Sequence, residues 1–271
     1  MSKNEAGYVE IDGEKLFYEL AGEGTPVVLS HAGFLDSRMF DGIWEPLARQ
    51  FRVIRYDMRG FGKSDPVTGP VCRRADLARL LDHLGISQAH LVGCSMGGEM
   101  SLDLALERPD LVRSITLVDS TPSGFEMKGE PPRYLFEMFN EVQNGDVDRA
   151  SELQIRIWID GQFREPEQMD PGLRNKALEI NRIPVSRKTF LIADMQPASP
   201  LTPAAVTRLE DVKCPALIMS GSLDNPEVLR AAGEMAERIP GAKKIIMEGC
   251  AHVPLFEQPE VFLSHLKNFL Q

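Results

Sequence analysis

The sequence has few cysteines, and none is placed as a metal or redox motif requires. Its 271 residues include four cysteines with no C-x-x-C pair, and their spacing suggests neither a zinc site nor a disulfide framework. They are Cys72, Cys94, Cys214 and Cys250. Free thiols fit a reducing compartment, so we expect small apolar packing residues in a cytoplasmic protein.

Long hydrophobic runs are also absent. No stretch approaches the ~18 apolar residues that a membrane span needs. The N-terminal segment MSKNEAGYVEIDGEK lacks the apolar core of a secretory signal. Acidic residues outnumber basic ones by 40 to 30, which gives a formal net charge of −10. Because phosphates would repel such a chain, we expect neither nucleic acid nor an anionic membrane as a partner.

The apolar residues that are present alternate between strand and helix patterns. Residues 8–22 read as a hairpin around Asp12-Gly13. Further strands are predicted at 27–30, 51–56, 90–92, 112–118, 215–220 and 244–247. Helices are predicted at 39–49, 76–85, 96–108, 226–239 and 259–270. This alternation predicts an α/β fold, with a mainly parallel sheet covered by helices on both faces and the hairpin as an antiparallel edge.

The alternation breaks between about residues 121 and 211. This stretch is polar, contains several prolines, shows helical patterns at 134–142 and 147–159, and has no strand pattern. We predict a helical cap over residues 122–210, inserted into a core made of residues 1–121 and 211–271. Ligands bind at the carboxyl ends of the strands in open α/β sheets, so we expect the cap to lie there.

A candidate nucleophile, Ser95, lies in the motif Gly93-Cys94-Ser95-Met96-Gly97. The motif follows the predicted strand at 90–92 and opens a helix. A G-x-S-x-G sequence at a strand-to-helix turn is typical of a nucleophilic serine, with glycines where backbones approach closely. The helix N-terminus favours developing negative charge. The plainer alternative is a glycine-rich turn with a capping serine.

Further motifs arrive in an order that carries a family resemblance. They are His31-Ala32-Gly33-Phe34, the segment from Asp57 to Asp65, Gly93 to Gly98, Gly221 to Asp224, and Gly249 to His252. With them the chain resembles the α/β-hydrolase family, in its branch of small esterases, lactonases and C–C hydrolases. The resemblance implies an eight-stranded-type sheet and a serine hydrolase, carboxylesterase-like, that acts on a small apolar ester or lactone.

The resemblance also implies that the enzyme needs no cofactor. The sequence shows no dinucleotide fingerprint and no metal-binding cluster of histidine and glutamate, so we expect neither a cofactor nor a metal. The one partner that we expect is a small-molecule substrate, with the chain a monomer or a homodimer.

A serine hydroxyl needs a base, and His252 is the best placed of five histidines. It follows the last predicted strand and matches the base of the family. His31 ends a strand, and we expect it to shape the loop that follows. His83, His90 and His265 are expected to be structural.

The acid of the triad should follow a strand and precede the base. Asp224 satisfies both conditions and would hold the imidazole in one tautomer. Two alternatives remain open here. Asp224 could instead cap the helix that starts near Pro226, and Asp119, after the strand at 112–118, could be the acid.

An oxyanion hole is the last requirement of acyl transfer. The backbone N–H of Met96 is one expected donor. The family pattern His-Gly-X places the second donor after the strand at 27–30, where Ala32 replaces the usual glycine. Gly33 therefore takes the donor position, and Phe34 is a shifted alternative that also lines the acyl pocket.

Other residues are predicted from their position alone. The substrate-binding residues are expected to be Phe34, Met127, Phe136, Trp158 and Val253, and Met138, Phe139, Phe163 and Met195 could add to an apolar lid surface. The segment from Asp57 to Gly62 is predicted to be a glycine-supported turn with an internal ion pair. A carboxylate-binding arginine, with Arg156, Arg182 and Arg187 as candidates, would favour C–C bond hydrolysis or enol-lactone cleavage. A triad-bearing small-molecule receptor is a further alternative.

Overall fold

A computed structural model of the chain describes residues 4–271, so the first three residues of the predicted core lie outside the described part. Eight strands form one sheet in the order β1-β2-β4-β3-β5-β6-β7-β8. They are β1 (Glu5–Ile11), β2 (Glu14–Ala21), β3 (Pro26–Ser30), β4 (Arg52–Tyr56), β5 (Ala89–Cys94), β6 (Val112–Val118), β7 (Ala216–Gly221) and β8 (Lys243–Met247). The pairs β1–β2 and β2–β4 are antiparallel, and all other pairs are parallel. The predicted α/β class is confirmed.

Helices cover the sheet and fill the segment between β6 and β7. They are α1 (Asp41–Ala48), α2 (Arg73–His83), α3 (Met96–Glu107), α4 (Leu135–Asn144), α5 (Val147–Ile155), α6 (Pro171–Ser186), α7 (Pro226–Arg238), α8 (Pro254–Glu257) and α9 (Pro259–Leu270). Wider π-type turns follow at Arg156–Asp160 and Phe190–Asp194. No helix within residues 4–271 is both long and apolar enough to cross a bilayer.

The first hairpin is antiparallel because of its turn. Asp12 and Gly13 both have positive φ, 54° and 84°, as the two central residues of a type I′ turn require. This turn matches the right-handed twist of strands and pairs Ile11 with Glu14. The hairpin then joins the parallel strands through β2 and β4.

Alternate side chains of the central strands supply two cores, one on each face of the sheet. Val28 and Leu91 belong to the core under α2 and α3. Val27, Leu29 and Val92 belong to the core under α1 and α9. Burial on both faces explains why these strands are continuously apolar.

The segment between β6 and β7 is helical, as predicted, but it contains one helix that the sequence patterns did not suggest. This helix, α6, contains two prolines, and Pro171 occupies its first turn, where a missing N–H costs nothing. Pro184 lies in its last turn. Asp170 caps the helix by accepting a hydrogen bond from the Leu173 N–H at 2.7 Å.

This segment contacts the loops that follow three parallel strands at their carboxyl ends. Asn181 Nδ2 donates to the Phe34 carbonyl after β3 at 2.8 Å. Thr189 Oγ1 donates to the Gly60 carbonyl after β4 at 2.8 Å. Arg164 Nη1 donates to the Gly249 carbonyl after β8 at 3.1 Å. A cap bounded at residues 122 and 210 stays a prediction.

The turn after β4 is supported by glycines, but the internal ion pair predicted for it is wrong. Arg59 pairs instead with Asp76 on α2, at 2.8 Å, and with Glu14 on β2, at 2.9 Å. Asp57 accepts hydrogen bonds from the backbone N–H groups of Ser37 and Lys63, at 2.9 and 2.7 Å. Asp57 and Arg59 are two residues apart on one turn, but they bind different groups.

Candidate active site

Ser95 lies on a sharp turn between β5 and α3. Its φ of 53° is in the left-handed region, which a residue with a side chain adopts only under constraint. Its N–H donates to the Val118 carbonyl on β6 at 2.8 Å. A Cβ on Gly93 would overlap the Gly97 carbonyl oxygen, and a Cβ on Gly97 would overlap that of Ser30. Glycine is therefore required at both positions.

Three side chains form a continuous hydrogen-bonded chain at this turn. His252 Nε2 lies 2.9 Å from Ser95 Oγ, and His252 Nδ1 lies 2.8 Å from Asp224 Oδ2. His252 and Asp224 are buried, whereas Ser95 retains some exposure. If Nδ1 carries the proton and donates to Asp224, Nε2 is free to accept the Ser95 proton.

Asp224 is held to face His252 by its own loop. The N–H of Asn225 donates to Asp224 Oδ1 at 2.7 Å, which leaves Oδ2 for the imidazole. The side chain of Asn225, not that of Asp224, caps α7 by accepting from the Glu227 N–H at 2.8 Å. The capping alternative for Asp224 is therefore wrong.

The rival acid, Asp119, lies behind Asp224 and makes no hydrogen bond to His252. It is fully buried at the end of β6, where both its oxygens accept from the Gly221 N–H, at 3.1 and 3.2 Å. Burial, and then the negative charge of Asp224, raise the pKa of Asp119 well above its usual value. The raised pKa favours the protonated form of Asp119 beside Asp224.

The loop that carries His252 is fixed by an ion pair with the segment above it. Arg164 and Glu257 pair at 2.6 Å, and both side chains are nearly buried. Glu257 Oε1 also accepts from the Ala251 N–H at 2.7 Å. Arg164 Nη1 also donates a hydrogen bond to the Gly249 carbonyl. The ion pair therefore contacts the loop backbone on both sides of Cys250.

Two of the residues predicted to form the oxyanion hole, Met96 and Gly33, lie in contact. Met96 is the first residue of α3, where N–H groups have no acceptor in the helix. The Met96 side chain packs on Gly33, within 3.2 Å of where a Cβ would stand. Within residues 4–271, neither Gly33 nor Phe34 donates its N–H to a protein acceptor. Both groups stay candidates for the second donor.

His31 shapes the loop that holds these donors, as expected. Its Nδ1 donates to the Ala32 carbonyl at 2.8 Å, and its Nε2 accepts from the Met58 N–H at 2.9 Å. Complete burial lowers the pKa of His31, so the ring is neutral. His90 is structural too, with Nδ1 2.6 Å from Ser114 Oγ and a pKa that burial lowers to about 4.

Aromatic rings border the site. The Trp158 ring lies 4.8 Å from the His252 ring, and the Phe34 ring lies 6.2 Å from each of them. An apolar cavity of about 300 Å³ reaches Trp158 and is also lined by Met127. Val253 is fully buried in the core that contains Phe34. Phe34 and Trp158 therefore lie beside the imidazole of His252. Met127 lines the same cavity as Trp158.

A narrow apolar crevice opens at Gly33, and α4 lines it on one side. Met138 and Phe139 contribute to its wall. Phe136 lies about 200° around the helix from Met138, because each residue turns the helix by ~100°. Its side chain is 74% exposed. The expectation that Phe136 binds substrate is not met by this arrangement.

Sequence patterns missed residues that support the site from a distance. Arg164 and Glu257 are 93 residues apart, and Asn181, which holds Phe34, is 147 residues from it. No local pattern marks any of them. Only a motif spanning these separations could have revealed the contacts.

Comparison with known proteins assigns the family of the chain. A family model for the α/β hydrolase fold matches residues 25–259. The chain belongs to the α/β-hydrolase family. The RutD protein of Azorhizobium caulinodans is 30% identical, over 94% of this chain and 94% of that protein. The pimeloyl-[acyl-carrier protein] methyl ester esterase of Aeromonas hydrophila is 27% identical, over 93% of this chain and 98% of that protein.

A solved structure within the α/β-hydrolase family agrees with the whole fold. It is that of an N-acyl homoserine lactone degrading enzyme, which superposes with a TM-score of 0.82 at 25% identity and covers 97% of this chain and 100% of that one. Hydrolases and esterases recur among the relatives of this α/β-hydrolase, so the chain is an enzyme of the hydrolase class.

Proposed function

We propose that this α/β-hydrolase is a serine hydrolase that cleaves a carboxylic ester or lactone through an acyl-enzyme. The observation that carries the proposal is the unbroken hydrogen-bonded chain from Ser95 through His252 to Asp224, at 2.9 and 2.8 Å. These residue types in this order supply a nucleophile, a base and a group that orients the base.

The chemistry follows from the three positions. Ser95 Oγ attacks the carbonyl carbon while His252 Nε2 takes its proton, and Asp224 stabilises the imidazolium. The oxyanion is held by the N–H groups of Met96 and of Gly33 or Phe34. His252 then protonates the leaving alkoxide. A water molecule, deprotonated by His252, attacks the acyl-enzyme and releases the acid and Ser95.

The surroundings support a small apolar substrate. The crevice at Gly33 is lined by Met138, Phe139 and other apolar side chains. The cavity beside Trp158 has a mostly apolar lining and a volume of about 300 Å³. Pockets of this size hold a short acyl or alcohol group rather than a long chain.

Hydrolysis of p-nitrophenyl butyrate by purified protein tests the proposal. We expect turnover with wild type and a loss of about 10⁴-fold or more with Ser95→Ala, because the nucleophile is removed. Ser87→Ala changes an exposed serine and serves as the control. A fluorophosphonate should label wild type and Ser87→Ala but not Ser95→Ala. Full activity or labelling in Ser95→Ala would refute the mechanism.

The alternative of C–C bond hydrolysis depends on an arginine that can bind a substrate carboxylate. Arg156 pairs with Glu165 at 2.8 Å, Arg182 pairs with Asp148 at 2.9 Å, and Arg187 donates to a backbone carbonyl. Of the three, Arg187 is therefore the one that has no carboxylate partner within residues 4–271 and could bind a substrate carboxylate. Repeated turnover of the ester would also argue against a receptor that reacts only once.

A further inference from the structure

A second cavity of about 300 Å³ lies on the flank of α3, next to the turn that holds Ser95. Met96, Glu99 and Asp103 line it from α3, spaced so that they share one side of the helix. Arg73 and Arg74, at the start of α2, and Asp194, in the segment between β6 and β7, form the opposite walls. The proposed mechanism uses none of these side chains. It uses only the backbone N–H of Met96.

Most charges around this cavity are satisfied within the protein. Arg73 binds both oxygens of Asp194, at 2.9 and 3.1 Å. Arg74 binds both oxygens of Glu107, at 3.0 and 2.9 Å. Asp103 accepts a hydrogen bond from Ser123 Oγ at 2.6 Å.

Glu99 is the exception. Its carboxyl group makes no hydrogen bond and no ion pair in residues 4–271, and the residue is half-buried on the cavity wall. Burial, with the charges of Asp103 and Asp194, raises its pKa to about 7. A half-buried carboxyl that has no protein partner and lines a cavity is open to a partner that enters the cavity from outside.

The charged side chains around the cavity indicate the sign of the partner's charge. Both guanidinium groups already face carboxylates, whereas the Glu99 carboxylate does not face a cation, so the cavity attracts positive charge and repels an anion. We propose that this cavity is a subsite for a cationic ammonium group of the substrate, with Glu99 as its counter-ion. The proposal rests on the esterase function proposed above.

Met96 connects the subsite to the reaction. Its side chain lines the cavity and also packs on Gly33, while its N–H is a proposed oxyanion donor. The cavity and the oxyanion loop therefore share one side chain as a common wall. The proposal requires that an ammonium group linked to the ester by a few bonds occupies the cavity while the carbonyl faces Ser95.

A pair of esters that differ only in charge tests the subsite. Butyrylcholine carries a trimethylammonium group, and 3,3-dimethylbutyl butyrate replaces its nitrogen by carbon. We expect wild type at pH 8 to prefer the choline ester by about tenfold in kcat/KM, the effect of one charge-assisted contact. The ratio should fall towards 1 in Glu99→Gln and stay partly elevated in Glu99→Asp. Because it is a ratio, it does not depend on the fraction of folded enzyme.

Glu237→Gln is the matched control, since it removes the same charge from an exposed position on α7. It should keep the tenfold ratio. Lowering the pH from 8 to 6 should reduce the ratio in wild type, as Glu99 takes up a proton while Arg73 and Arg74 stay charged. A wild-type ratio near 1, or a ratio unchanged in Glu99→Gln, would overturn the subsite.

Binding of tetramethylammonium separates the two proposals. Calorimetry should detect binding to wild type and to Glu237→Gln, and at least tenfold weaker binding to Glu99→Gln. If neither ester is hydrolysed but this binding difference appears, the esterase function fails and the cation site stands. Hydrolysis of both esters at equal rates without tetramethylammonium binding refutes the cation site and leaves the esterase function intact.

Discussion

Asp119 and Asp224 lie against each other at the ends of neighbouring strands, but only Asp224 contacts His252. The distance from Asp224 Oδ2 to His252 Nδ1 is 2.8 Å. Asp119 binds the Gly221 N–H, and burial together with the negative charge of Asp224 raises its pKa. Two carboxyl groups that the sequence left as rivals therefore have different roles, because only one of them orients the imidazole.

This arrangement predicts unequal effects of two matching substitutions. Asp224→Asn should lower kcat for p-nitrophenyl butyrate by about 10³–10⁴-fold, because the imidazole loses its acceptor and favours the wrong tautomer. Asp119→Asn should cost no more than about threefold, since its amide can still donate to Asp224 and accept from Gly221. Steady-state kinetics of both variants decide the matter. Equal losses would mean that the acid is not Asp224 alone.

The raised pKa of Asp119 also predicts how stability depends on pH. The pKa of Asp119 is raised in the folded state, so its contribution is full below the ordinary aspartate pKa of ~3.9 and is lost as pH rises towards the folded pKa. Asp119→Asn does not titrate. Relative to wild type, its free energy of unfolding should therefore increase with pH, by at most about 1.4 kcal/mol per pH unit. Urea denaturation at pH 5, 6 and 7 measures this difference, and a constant difference would contradict it.

His252 and Ser95 should behave as one unit. His252→Ala should be nearly as inactive as Ser95→Ala, and the double variant should be no worse than either single variant, because each residue is ineffective without the other. His83→Ala, at an exposed histidine on α2, is the control and should keep near-normal turnover. Near-normal turnover in His252→Ala would remove that residue from the mechanism.

The ion pair between Arg164 and Glu257 should matter for both stability and catalysis. Arg164→Ala should lower the free energy of unfolding by about 3 kcal/mol, since it leaves a buried carboxylate unpaired. It should also lower kcat more than it changes KM, because the His252 loop loses its support. Arg149→Ala breaks an exposed pair with Glu137 and should cost under about 1 kcal/mol. Chemical denaturation and kinetics of both variants provide the test.

Much of the fold could be predicted because its signals are local. The Asp12-Gly13 turn needs residues that tolerate positive φ, and the predicted helix from 259 to 270 matches α9. No such local signal marks α6, because its first turn contains Pro171, and proline is favoured in a first helical turn but interrupts a helix elsewhere. The effect of a proline on a helix therefore depends on its place in that helix.

The sequence by itself determined the family and the turn at Ser95. The glycines around Ser95 are required by close backbone contacts, which are made within a few residues or with the adjacent strand. Tertiary structure alone decided which carboxylate faces His252, since Asp119 and Asp224 follow strands that become neighbours only in the folded sheet. It also decided that Glu99 has no partner within the described residues, whereas Arg73 and Arg74, on other walls of the same cavity, pair with carboxylates. Charge and burial at such positions depend on side chains from distant parts of the chain, and no local pattern records them.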